Sequence, residues 1–147
     1  MPGYELIGKE ELKEIGSIFS RGNGVLFRHG FENIRNNSNK VLQFEKSFAK
    51  QVGSKYALAV TSGTAALRVA LAALNIKKGD EVITQSFTFV ATVESIVESG
   101  ATPVCTEIDK TLNMDPQDLI KKINKKTKAV IAVHMLGVVV GLIKTSL

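Results

Sequence analysis

Cysteine is nearly absent: Cys105 is the one thiol in 147 residues. A single cysteine excludes an internal disulfide framework and fits a reducing, cytoplasmic setting. It lies inside an apolar, strand-like run, so Cys105 reads as a small buried hydrophobe rather than a nucleophile. Long apolar runs are lacking too. The longest, Val138-Val139-Val140-Gly141-Leu142-Ile143, is far shorter than the ~20 residues that cross a bilayer. The opening Met1-Pro-Gly-Tyr-Glu-Leu has neither the basic region nor the apolar stretch of a secretion signal, so no membrane role is expected. Glycine-rich nucleotide fingerprints are missing as well: neither G-x-G-x-x-G nor a P-loop lysine occurs. Acidic side chains are the scarcer charge, 14 against 19 basic, for a net +5. Much of the surplus sits in Lys121, Lys122, Lys125, Lys126 and Lys128. These fall where a predicted helix ends, and a helix dipole favours cations there by roughly 0.3–1 kcal/mol each. No aromatic residue is interleaved with them, as a single-strand nucleic-acid platform would want. The surplus therefore reads as solvated surface, with no nucleic-acid partner.

What is present is enough apolar residue, 44% of the chain, for one real core. Residues 9–20 place Leu12, Ile15, Ile18 and Phe19 at helical spacing, closed by Arg21-Gly22-Asn23-Gly24. Residues 25–39 have no period and read as an arm whose Val25, Leu26, Phe27 and Phe31 dock on something. Ser38 or Asn39 can cap a second helix with the stripe Val41, Phe44, Phe48 and Val52, ended by Gly53. From residue 56 elements alternate. Strands are expected at Tyr56–Thr61, Glu81–Thr84, Thr102–Ile108 and Lys128–His134. Helices are expected at Thr64–Ile76, Phe89–Ser99 and from the Asp115 cap, with Pro116 in the first turn, to about Ile123. Apolar strands alternating with helices imply a parallel sheet covered on both faces. The fold class is α/β, with a helical N-terminal arm.

Ligands of such sheets bind beyond the carboxyl ends of the strands. Three segments fall there. Thr61-Ser62-Gly63-Thr64-Ala65-Ala66 precedes a helix. Its glycine, hydroxyls and free helix N–H groups suit a phosphate, and suit equally a plain capped turn. Gln85-Ser86-Phe87-Thr88-Phe89 carries two phenylalanines. One can offer a flat face to a heteroaromatic ring, or both can plug the core. His134 has no Asp, Ser or metal-ligand spacing beside it and reads as a structural histidine, hydrogen-bonded at a strand end.

Taken together, Glu45…Phe48-Ala49, Ala59-Val60-Thr61-Ser62-Gly63-Thr64-Ala65-Ala66-Leu67, Gly79-Asp80-Glu81-Val82-Ile83, Phe87-Thr88-Phe89-Val90-Ala91-Thr92, Gly100-Ala101-Thr102-Pro103-Val104 and His134-Met135-Leu136-Gly137 resemble the DegT/DnrJ/StrS family of sugar aminotransferases. The likeness runs from about residue 5 to residue 137. Met1 to Gly8 and the Leu26-Phe27-Arg28 arm also resemble the branch that aminates an octulosonate sugar, the 8-amino-3,8-dideoxy-octulosonate transaminases. The resemblance implies a large domain of fold type I, dependent on pyridoxal 5'-phosphate (PLP), and a homodimer. It implies amino transfer, with glutamate as donor, to a keto-sugar or sugar nucleotide. It implies that Ser62, Gly63, Thr64 and Ala65 hold the cofactor phosphate and that Phe89 stacks on its ring. The division it suggests is an arm over 1–39, a partial PLP-binding domain over 40–137, and a divergent tail over 138–147.

The resemblance also implies an acidic residue and a Schiff-base lysine well downstream of His134. The tail Val138–Leu147 departs from the family pattern, as a truncation or frameshift would leave it. Lys144 lacks the serine-rich context and preceding aspartate strand of the family's lysine. The expectation is a chain inactive as a transaminase alone. The alternative is a non-catalytic module that binds a phosphate ligand or pairs with an intact subunit.

Overall fold

A computed structural model describes residues 6–21 and 39–141. The chain splits into two compact units, Met1–Ala59 and Val60–Leu147. The arm expected at 25–39 lies, but for Asn39, outside the described residues, as does Lys144.

In the first unit, α1 spans Lys9–Arg21 with Glu10 and Glu11 in its first turn. Glu11 reaches back to accept the Gly8 N–H at 2.7 Å, half of a capping box. That bond lowers the Glu11 pKa. Helix α2, Lys40–Val52, opens on Asn39, whose side chain accepts from the Leu42 N–H at 2.7 Å. It closes at Gly53 in the left-handed region, φ +72°, a conformation that costs a residue with a Cβ about 1–2 kcal/mol. Lys40 joins α1 to α2 through Glu14 at 2.6 Å. The expected apolar stripes are present, but Leu12, Ile15, Phe19, Phe44, Phe48 and Val52 are exposed.

No strand forms at Tyr56–Thr61, which corrects the sequence expectation. A strand exists only through a ladder. None of the described strands pairs with this segment, and Glu45 Oε1 takes the Ala59 N–H at 2.9 Å instead.

The second unit is α/β. Its elements in order are α3 (Gly63–Ala73), β1 (Glu81–Gln85), α4 (Val90–Glu98), β2 (Thr102–Thr106), α5 (Pro116–Lys122), β3 (Thr127–Ile131) and a short 3-10 turn at Met135–Gly137. The sheet is parallel, in the order β2-β1-β3. Side chains alternate across a strand, and β1 uses both faces. Val82 packs with Leu71, Ile76, Ile96 and Ala101 under α3 and α4. Ile83 packs on the opposite face with Met114, Val140, Val104 and Leu119, beside α5. Helices therefore cover both faces. At 0% exposure, each of these two side chains contributes about 1.5–3 kcal/mol of burial. Cys105 is exposed, against expectation. Strand β2 lies at an edge of the described sheet. No helix among the described residues is long and apolar enough to cross a membrane.

Candidate functional site

The carboxyl ends of β1, β2 and β3 gather the segments that the sequence singles out. Helix α4 begins at Val90, shortly after β1 ends at Gln85, so its first turn lies at that edge. It returns to the amino edge, where Gly100, φ +85°, sits so close to the turn before β1 that a Cβ there would stand 3.3 Å from Lys78 N. Helix α3 ends just before the same turn. Its 11 residues rise about 16 Å at ~1.5 Å each, close to the length of a strand of five. The first turn of α3 is thus level with the carboxyl edge. Helices α3 and α4 run the same way, and Ser62–Ala65 and Phe89 stand at one edge of the sheet.

Ser62 caps α3. Its Oγ accepts from the Ala65 N–H at 3.1 Å and its carbonyl accepts from Ala66 at 3.0 Å. The N–H groups of Gly63 and Thr64 donate to nothing among the described residues. A Cβ built on Gly63 would meet nothing within 4 Å. Two free amides, a hydroxyl and open space at a helix start suit a dianionic phosphate, so the residues fit PLP at its phosphate end.

Phe89 is the N-cap residue of α4 and is 75% exposed. Phe87 is also exposed. Neither plugs the core. The backbone of Phe89 is braced: its carbonyl accepts from Thr92 at 3.0 Å, and Thr88 Oγ1 and Thr92 Oγ1 are 2.9 Å apart. An exposed ring on a braced backbone offers a flat face to a heteroaromatic partner.

Two buried polar residues at this edge were not singled out as site residues from the sequence. Gln85, fully buried, donates through Nε2 to the Phe87 carbonyl at 2.9 Å and the Leu112 carbonyl at 3.2 Å, and accepts the Val133 N–H at 3.3 Å. Asn113 donates to Thr111 Oγ1 at 3.1 Å and the Val138 carbonyl at 3.2 Å, and accepts from Met135 at 2.9 Å. The one local signal was for Gln85, an amide that ends the strand Glu81–Gln85 after Val82 and Ile83; Asn113, in the turn after β2, carried none. Leu112 holds a left-handed backbone, φ +63°, inside the turn closed by the Ile108–Met114 bridge. His134 makes a hydrogen bond of the kind expected of it: its Nδ1 accepts the Val140 N–H at 3.0 Å.

The charged groups nearby serve the loops. Asp109 has its pKa lowered, first by the Thr111 hydroxyl and then by the Thr111 N–H. Asp118 is lowered chiefly by Lys122 and then by the Glu107 N–H, and Lys122 is raised by Asp118. No trio of His, Cys, Asp or Glu among the described residues is arranged to hold a metal.

The chain is similar to known proteins over most of its length. Residues 30–144 match the DegT/DnrJ/EryC1/StrS aminotransferase family. The spore coat polysaccharide biosynthesis protein SpsC of Bacillus subtilis is 46% identical over 133 residues, 90% of this chain and 31% of that protein. The GDP-perosamine synthase of Vibrio cholerae is 50% identical over 96 residues, 65% of this chain and 26% of that protein. Among solved structures, the PLP form of Spr1654 from Streptococcus pneumoniae superposes with a TM-score of 0.80 at 29% identity, covering 92% of this chain and 32% of that one. The chain spans about a third of the length of such relatives.

Proposed function

The chain belongs to the DegT/DnrJ/EryC1/StrS aminotransferase family, and on that premise we propose that its carboxyl edge holds the phosphate and ring of PLP. Ser62, Gly63, Thr64 and Ala65 take the phosphate, and Phe89 covers the ring. The observation that carries the reading is the pair of amides at Gly63 and Thr64, without a partner among the described residues, at the same edge as an exposed, braced Phe89. PLP, when bound, supplies the electron sink that makes amino transfer feasible. The residues of this chain anchor and orient it. The first turn of α3 binds the anion, and the ring of Phe89 shields one face from water.

For the whole protein we infer transfer of an amino group, from glutamate, to a keto-sugar or sugar nucleotide. The names of the relatives, a polysaccharide biosynthesis protein and a GDP-perosamine synthase, support that substrate class. Residues 40–137 act as the PLP-binding part, 1–39 as an arm and 138–147 as a tail, in the cytoplasm. The exposed Phe44, Phe48, Val52 and Tyr56 support pairing with a second subunit as a homodimer, since apolar patches of this kind mark interfaces.

The test compares PLP with pyridoxal, which lacks the phosphate, by equilibrium dialysis against the 147-residue chain. Tighter binding of PLP by tenfold or more is expected. Equal retention of the two, or of neither, would remove the phosphate assignment.

A further inference from the structure

Gln85 does more than fill a strand end. Its carboxamide uses both donor hydrogens and one acceptor position, and each goes to a different stretch of backbone. One donor holds the Phe87 carbonyl at 2.9 Å, in the loop that leads into α4. The other holds the Leu112 carbonyl at 3.2 Å, in the turn after β2. The oxygen receives the Val133 N–H at 3.3 Å, where the chain leaves β3. All three strands deliver their exits to this one side chain, which is itself fully buried. The Leu112 carbonyl is presented by a left-handed residue, φ +63°. A backbone strained in this way persists when its surroundings over-determine it.

We propose that Gln85 is a positioning residue for the ring-binding side of the site: it fixes the loop 86–89 so that Phe89 is held in one orientation before any ligand arrives. The proposal rests on the reading that Phe89 covers the ring of PLP. Phe89 is fixed from two directions. Downstream, Thr92 in the first turn of α4 donates to its carbonyl. Upstream, the Phe87 carbonyl is fixed only through Gln85 among the described residues. Preorganisation of this kind raises affinity by removing the ordering cost at the moment of binding. The cost of losing it falls on binding as well as on stability.

The sequence contains no tryptophan, so Phe89→Trp gives a single fluorescent reporter at the position in question. In that background, Gln85→Met keeps the length and packing of the side chain and removes all three bonds. Gln85→Glu keeps the acceptor for Val133 and puts one oxygen where Nε2 donates to two carbonyls. Ile83→Val, on the same face of the same strand, lowers stability without touching the loop and is the control. The readouts, taken well below the melting temperature, are the anisotropy of the introduced indole without ligand and the Kd for PLP from quenching of its fluorescence. The expected result is a lower anisotropy and a Kd raised tenfold or more in both Gln85 variants, with neither changed in Ile83→Val. Anisotropy and Kd that track stability alone, the same in Gln85→Met as in Ile83→Val, would overturn the proposal. If Gln85→Met does not fold, Gln85→Glu decides by the same two readouts. A Phe89→Trp protein whose fluorescence ignores PLP, yet whose anisotropy falls on Gln85→Met, would keep the positioning role and remove the cofactor reading.

Discussion

Lys122 Nζ stands 2.8 Å from Asp118 Oδ2, one helical turn away, and donates to the Cys105 carbonyl at 2.6 Å. Asp118 also accepts the Glu107 N–H at 2.8 Å. The pair thus ties α5 to β2 and to the residue that follows it. The Asp118 pKa is lowered from 3.8, so its contribution is present above that value and fades as pH falls through the lower, folded value. The Lys122 pKa is raised from 10.5, so its contribution is present below that value and is lost as pH rises through the higher, folded value. Asp118→Asn should therefore lower the melting temperature at neutral pH. The difference from the unaltered protein should shrink in strong acid, below the ordinary carboxylate range. Thermal melts across pH check this; a difference that stays constant into strong acid would contradict the ion-pair account.

Thr106 Oγ1 is buried, at 1% residue exposure, with no hydrogen-bond partner among the described residues. A buried hydroxyl left unpaired costs about 1–3 kcal/mol, and valine has nearly the same shape and the same β-branch. Thr106→Val should stabilise the chain by roughly 1 kcal/mol in urea denaturation. Destabilisation would mean that the hydroxyl has found a partner, such as an internal water.

Gly63→Ala separates fold from ligand. The residue lies in α3, its φ is not positive, and a Cβ there meets open space. Alanine is worth about 0.5–1 kcal/mol over glycine in a helix, so stability should hold or rise. PLP binding should weaken tenfold or more, because the methyl group occupies the anion's approach. Unchanged dialysis retention would count against residues 62–65 as the cradle.

Ser62 allows a paired test. Ser62→Ala removes the bond to the Ala65 N–H and should cost about 1 kcal/mol of stability. Ser62→Asp caps equally well but sets a carboxylate where the phosphate is proposed. The aspartate variant should melt like the parent and lose PLP binding; retention of both would argue that Ser62 is a cap and nothing more.

Local signals in the sequence carried far. Asn39, Ser62 and Asp115 cap the helices they precede, because a cap bond spans only two or three residues. Gly53 ends α2 and Gly100 follows the end of α4, both with positive φ, for the same reason. Three strands and their parallel pairing were legible from apolar runs alternating with helices. Tyr56–Thr61 misled, since apolar character gives strand propensity but not a partner. Cys105 misled because its run reads as buried while β2 lies at an edge of the described sheet. Gln85 and Asn113 were opaque as structural nodes. Gln85 meets Leu112 across 27 residues and Val133 across 48, and no local pattern encodes such a meeting.

Helices α3 and α4 run the same way along one face of the sheet, so their starting ends are neighbours. Each such end carries a partial positive charge of about half an electron. Two such ends at one edge of the sheet both favour an anion over a cation. A doubly charged oxyanion would meet both dipoles as well as the amides of Gly63 and Thr64. Inorganic sulfate or phosphate at millimolar concentration should then raise the melting temperature of the empty protein more than chloride does at equal ionic strength.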